Sequence, residues 1–160
     1  MLPINPAQIP VIYKQAMALQ SKGRLPEARA KYQSILAAAP NIAEAHFQLG
    51  RIDQALGQTD AALENYAKAH AIKPKEPAIL IEQVKLQSAV GQIDAALKTH
   101  DQIIALLPKS VKARADKAQM LQIAGRFDEA EVEFRKALKL NPMDGILYRL
   151  MVASKKIKKG

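Results

Sequence analysis

A chain of 160 residues with 49% hydrophobic content can bury one core of ordinary size. It has no cysteine, which removes disulfides, thiolate nucleophiles and cysteine zinc sites, and no apolar run near the ~20 residues that a membrane span needs. The formal charge of +9 is lopsided: residues 145–160 hold Arg149, Lys155, Lys156, Lys158 and Lys159 and no acid, so the body is only mildly basic.

The N-terminal stretch MLPINPAQ (1–8) lacks the basic start and long apolar run of a secretory signal and reads as an extension. With the missing cysteines, this leads us to expect a soluble, cytoplasmic protein. Helical periodicity follows at roughly 9–22, 43–56, 77–90 and 111–124. Each such segment leads to a glycine (Gly23, Gly57, Gly91, Gly125), and a second periodic segment then runs to a proline (Pro40, Pro74, Pro108, Pro142). These glycines and prolines, and Ala28, Ala62, Ala96 and Ala130, all recur every 34 residues, the mark of a repeat array. In the fourth unit Phe127, Ala130, Phe134, Ala137 and Leu138 form an apolar stripe that must be buried. Asp128 and Glu129 open that helix, and Lys136 and Lys139 close it, as the helix dipole favours. Each repeat is therefore a pair of helices, and the glycine between them is expected at positive φ. With three Phe, four Tyr and no Trp, the helices must meet through small aliphatic contacts.

Counted from Ile9, Ala43, Pro77 and Val111, the eighth position is Ala16, Gly50, Val84 and Ala118, and the twentieth is always alanine. The twenty-fourth is Tyr32, Tyr66, His100 and Phe134, and the twenty-seventh is Ile35, Ala69, Ile103 and Ala137; proline stands at the thirty-second. This pattern resembles the tetratricopeptide repeat (TPR) over residues 9–144, divided as 9–42, 43–76, 77–110 and 111–144. The resemblance implies an all-α chain, a right-handed superhelical solenoid of four helix-turn-helix repeats. Residues 145–160 would add a capping helix, near 145–157, and a basic tail. Two positions depart from the family. The fourth, where Trp is favoured, holds Ile12, His46, Leu80 and Arg114, and the eleventh, often Tyr, holds Leu19, Asp53, Gln87 and Leu121. Val84 and His100 make the third repeat the weakest match, and local looseness is expected there.

Chemistry has few candidates. His46, His70 and His100 fall on repeat positions that normally pack, and no HExxH or other ligand spacing accompanies them, so neither a metal nor a cofactor is expected. No GxGxxG, GxxxxGK[ST] or GxSxG occurs. The chain is expected not to be an enzyme. The terminal KKIKKG has no aromatic among its lysines, so it reads as a solvated tail and not as a nucleic-acid or membrane element.

Function then rests on the groove that the resemblance implies, lined by the first helix of each repeat. Its fifth position carries Tyr13, Phe47, Ile81 and Ala115, and its ninth Met17, Arg51, Lys85 and Gln119. An apolar row beside two cations suits a peptide with one apolar side chain and a nearby acid; the competing reading has Tyr13, Phe47 and Ile81 packing neighbouring helices. The family subgroup that grips the terminal carboxylate of chaperone tails would place its cations and asparagines at Tyr13, Met17, Gln48, Ala78 and Glu82, where none is found. The leading expectation is a non-catalytic scaffold that binds a peptide segment of a protein partner. The alternative is the N-terminal arm of a larger bacterial enzyme, sulfotransferase- or glycosyltransferase-like, to which the tail is loosely similar. Finally, Ile146, Leu147, Tyr148, Leu150, Met151 and Val152 point around most of the last helix. One face is expected to remain unpartnered, giving either a homodimer through Ile146, Leu147, Leu150 and Met151 or a seat for further chain.

Overall fold

The computed structural model describes residues 4–159, and side chains within residues 4–154. The described residues form helices and no strand. A 3-10 turn, Pro6–Gln8, precedes α1 (Ile9–Ser21), α2 (Leu25–Ala38), α3 (Ala43–Ala55), α4 (Thr59–Ile72), α5 (Pro77–Ala89), α6 (Ile93–Leu106), α7 (Val111–Ile123), α8 (Phe127–Leu140) and α9 (Gly145–Lys159). The first helices of the pairs begin at 9, 43, 77 and 111, and the second at 25, 59, 93 and 127, so the 34-residue period of the sequence is also the period of the helix starts.

The turns explain the invariant glycines. Gly23, Gly57, Gly91 and Gly125 have φ of 72°, 74°, 76° and 72°. In each the next amide reaches back over the helix end, as Gln58 N does to Asp53 O (2.8 Å) and Arg126 N to Leu121 O (2.8 Å). That closure needs a left-handed residue, which only glycine adopts without strain.

The chain divides into two compact units, residues 1–86 and 87–160, with the boundary inside α5 of the third repeat. In the first, Ala16, Ala28, Tyr32, Ile35, Ala45, Leu49 and Ile52 form one buried cluster, and Ala62, Tyr66, Ala69, Ile79 and Leu86 form another. In the second, Ala96, Leu97, Ala118, Leu121, Ala130, Phe134 and Ala137 pack with Leu147 and Met151 of α9. The twentieth-position alanines 28, 62, 96 and 130 are all fully buried, because a larger side chain would hold the two helices of a repeat apart. Gly50 shows how close that approach becomes: a Cβ there would lie 2.8 Å from two ring carbons of Tyr66 and 3.2 Å from Ala62 O.

A polar set recurs inside the repeats, joining positions four and eleven of the first helix to position twenty-three of the second. In the second repeat Asn65 Nδ2 donates to Asp53 Oδ2 (3.0 Å) and to Ala61 O (3.0 Å), while Asn65 Oδ1 lies 3.1 Å from His46 Nδ1. His46 Nε2 donates to Pro40 O (2.9 Å). Thr99 donates to Gln87 Oε1 (2.9 Å) in the third repeat, and Arg114 to Glu133 Oε2 (3.3 Å) in the fourth. Among the fourth and eleventh positions that depart from the family pattern, His46, Asp53, Gln87 and Arg114 are thus used as polar partners. Asp53, fully buried, also receives Arg29 Nε at 2.6 Å from the preceding repeat. A buried carboxylate held by a guanidinium and an amide is satisfied where a lone one would be costly.

Repeat three has Val84 and His100 buried, at 8% and 4% exposure. His100 takes the place of the aromatic anchor, and its Nδ1 has no hydrogen-bond partner. Burial pushes its pKa below the usual 6.5, with Asp116 and Asp101 opposing and Lys117 and Lys112 assisting. Below pH ~6.5 the unfolded chain binds a proton that the folded site resists, so this contribution to stability is complete above that pH and is lost as pH falls toward the lower folded value. We expect thermal melts between pH 7.5 and 5.5 to lose stability more steeply for the native chain than for His100→Phe. Identical pH profiles would remove His100 from that account.

Candidate peptide-binding groove

Six of the seven groove residues lie in the first unit: Tyr13 and Met17 on α1, Phe47 and Arg51 on α3, Ile81 and Lys85 on α5. Gln119, on α7 in the second unit, is exposed. Tyr13 is half-buried with its ring edge-on to Tyr32 (centroids 5.4 Å, 78°), and Phe47 is half-buried and tilted against Tyr66 (5.9 Å, 48°). Each ring therefore packs on the aromatic at the twenty-fourth position of its own repeat. Met17 and Ile81, in contrast, are 49% and 38% exposed. Lys85 is tied to Glu82 (2.7 Å), whereas no acid among the described residues pairs with the exposed Arg51.

The electrostatics keep the tyrosines neutral. Burial raises the Tyr13 hydroxyl and Glu44 adds to it. Burial likewise raises Tyr32 and Tyr66, with the positive charge of Arg51 acting on both in the opposite sense. As neutral donors they anchor an amide ladder: Tyr32 Oη donates to Gln20 Oε1 (3.5 Å), Gln20 Nε2 to Gln48 Oε1 (3.4 Å), and Gln48 Nε2 to Glu44 Oε1 (3.3 Å). Tyr66 Oη donates to Gln54 Oε1 (2.8 Å) in the next repeat. Sequence reasoning missed this ladder, although its signal was present: glutamine recurs at the twelfth position as Gln20, Gln54 and Gln122.

The arrangement offers exposed aliphatic surface, one unpaired guanidinium and amide edges. It contains no nucleophile joined to a base, and no group of three His, Asp or Glu among the described residues is placed to hold a metal.

In the fourth repeat Phe134 has no hydroxyl to offer. Gln122 Nε2 reaches α9, donating to Leu150 O (3.3 Å) and to the Ser154 hydroxyl, as Gln20 Nε2 reaches Gln48 of α3. Of the residues expected to mediate self-association, Leu147 and Met151 lie in the core of the second unit and Leu150 packs partly against it. Ile146 is 67% exposed, as is Tyr148 at 59%. The lysines of KKIKKG, expected to form a solvated tail, lie outside the residues whose side chains are described; α9 itself runs to Lys159, two residues beyond the expected end.

The 34-residue helix-turn-helix, its positive-φ glycine and its buried small positions define a helical repeat protein. The chain belongs to the tetratricopeptide repeat family, whose models match residues 8–75 and again 80–145. No curated protein matches it. Solved structures similar to it include the MamA protein (TM-score 0.78, 19% identity, covering 96% of this chain and 84% of that one). A tetratricopeptide repeat protein from Parabacteroides merdae ATCC 43184 is also similar (TM-score 0.74, 24% identity, 99% and 62%). So is YrrB, a TPR protein with an unusual peptide-binding site (TM-score 0.72, 19% identity, 92% and 76%). At these identities the likeness establishes the fold. No helix among the described residues is long and apolar enough to cross a membrane.

Proposed function

We propose that this chain is a non-catalytic scaffold that recruits a peptide segment of a partner protein through Tyr13, Met17, Phe47, Arg51, Ile81 and Lys85. The observation that carries the reading is Arg51. It is an exposed cation with no acid of its own among the described residues, on the first helix of a repeat, while the first helices of the repeats before and after it carry exposed Met17 and Ile81. A segment with an apolar side chain near a carboxylate satisfies both. Packing of Tyr13 and Phe47 onto Tyr32 and Tyr66 fixes the rings in place, so little side-chain entropy is lost when a ligand lies across them. An interface of this size supports affinity of roughly micromolar strength.

The cytoplasmic location expected from the sequence belongs to this reading, and cell fractionation checks it. Pulldown with the intact chain should retain a partner that Arg51→Glu weakens and that Phe47→Ala with Arg51→Glu abolishes, with circular dichroism unchanged. Retained binding by the double variant places the site elsewhere.

A further inference from the structure

The first unit leaves two opposite charges unmatched on α3. Among the acids on its first helices, Asp53 holds Arg29 and Glu82 holds Lys85, whereas the exposed Glu44 has no cation partner among the described residues. Gln48 Nε2 donates to Glu44 at 3.3 Å, and Lys14, the exposed cation of α1, makes no ion pair with it. Its counterpart is Arg51, seven residues further along the same helix and likewise without an acid. Seven residues fall about 20° short of two turns, so both charges stand on one side of α3, about 10 Å apart along its axis. The helix dipole accounts for an acid in the first turn of α3, but not for the opposite charge two turns on.

The two charges keep different company. Glu44 acts on the hydroxyls of both Tyr13 and Tyr32, which puts its carboxylate beside that ring pair, and the Tyr13 hydroxyl lies against the side chains of Tyr32 and Gln48. A neutral phenol oxygen next to a free carboxylate is a pair of acceptors, which an ammonium or guanidinium group satisfies. Arg51 acts on Tyr32 and Tyr66, and the first helices on either side of it carry the exposed Met17 and Ile81.

Between the charges stands Gln48, held by long bonds at both ends: 3.4 Å from Gln20 Nε2 and 3.3 Å to Glu44 Oε1. An amide so weakly engaged can turn to a ligand's main chain. A helical ligand has no use for it, since its backbone groups are paired internally, whereas a polyproline-II segment pairs none of its own. The spacing agrees. Three residues per turn and about 3.1 Å per residue put side chains i and i+3 on one face, about 9 Å apart, while a strand would turn them to opposite faces.

We propose that the groove takes a polyproline-II segment carrying a base and an acid three residues apart. The base sits on Glu44 and the Tyr13 hydroxyl, the acid on Arg51, and the main chain on the Gln48 amide. This rests on the peptide-scaffold reading above and adds to it a second charge, a spacing and a backbone form. A segment with an acid alone would meet Arg51 but leave Glu44 facing it uncompensated, so the pair of charges selects against purely acidic partners.

The probes are two fluorescein-labelled peptides, Pro-Lys-Pro-Pro-Glu-Leu-Pro and the reverse-order Pro-Leu-Glu-Pro-Pro-Lys-Pro. With the intact 160-residue chain we expect saturable anisotropy for one order, falling with salt. Replacing the peptide's lysine by alanine should weaken binding at least threefold, as should Glu44→Gln, and the two together should weaken it no further than either alone. Glu44→Lys should weaken it at least tenfold, and a peptide with glutamate in place of its lysine should regain that loss on the variant. Glu44 is exposed, and circular dichroism confirms the helicity of both variants. Binding that Arg51→Glu removes but that ignores both Glu44 variants overturns this proposal and leaves the scaffold reading standing; binding that also ignores Arg51→Glu overturns both. Absence of saturable binding by either order overturns the proposal, as does tighter binding of an alanine-based helical peptide with its base and acid seven residues apart.

Discussion

Gly50→Val is expected to destabilise the first unit by about 3 kcal/mol, at the upper end of the overpacking range, and to lower its melting temperature by on the order of 15 °C. The argument is geometric. Even the first carbon of the new side chain falls 2.8 Å from Tyr66 Cδ1 and Cε1, and the carbonyl of Ala62 stands at 3.2 Å on the opposing backbone. The ring has nowhere to go: Tyr66 is fully buried, its hydroxyl is held by Gln54, and Phe47 packs against it at a tilt of 48°. Replacing a helical glycine by alanine ordinarily gains roughly 0.5–1 kcal/mol, so Gly50→Ala sets the gain against the clash and separates the two effects. Scanning calorimetry checks both. A valine variant that melts with the native chain would mean that α3 and α4 do not meet as described.

Asp53→Ala comes next in size, at about 3 kcal/mol, near the lower end for breaking a buried ion pair. The carboxylate is completely buried, and its loss strands Asn65 Nδ2 with only Ala61 O and leaves Arg29 without its ion-pair partner. Arg29 is 29% exposed and can turn toward water, which keeps the cost from rising further. Asp53→Leu should be milder than Asp53→Ala, since Leu19 and Leu121 fill the same position in the first and fourth repeats without leaving a void. In a double-mutant cycle with Arg29→Ala the pair should couple by about 1–3 kcal/mol in chemical unfolding. Additive losses would show the ion pair to be incidental.

Much of the architecture was legible because a repeat prints its contacts four times. Ala28, Ala62, Ala96 and Ala130 announced the close approach of helices, and Gly23, Gly57, Gly91 and Gly125 announced the turns; both are local requirements of the backbone. The polar set was harder to read. Asp53 looks like a departure from the repeat when read alone, and its partners Asn65 and Arg29, with His46 on the far side of Asn65, lie at three different repeat positions, one of them in the neighbouring repeat. The groove residues were nameable from their register, yet register could not tell that Tyr13 and Phe47 lean on Tyr32 and Tyr66 while Arg51 stays unpaired. In α9, six apolar residues in seven gave no single face by pattern. Packing made the choice, drawing in Leu147 and Met151 and leaving Ile146 and Tyr148 to solvent.

The partner that Gln122 chooses has a consequence for how such a chain changes length. In the first repeat Gln20 accepts from the Tyr32 hydroxyl through its oxygen and donates through its nitrogen to Gln48 on the helix that follows; in the fourth, where Phe134 offers no hydroxyl, the nitrogen of Gln122 still donates to Leu150 O of the helix that follows. Duplication of a 34-residue unit costs a genome little, and what limits it is whether each new helix finds an edge prepared to hold it. Here the edge is the twelfth-position amide, which reaches the following helix from the first repeat as it does from the fourth, with or without a hydroxyl at the twenty-fourth position. Lineages that add or drop repeats would therefore be expected to keep glutamine at the twelfth position of the repeat before the helix they gain or lose, while the twenty-fourth position varies between tyrosine and phenylalanine.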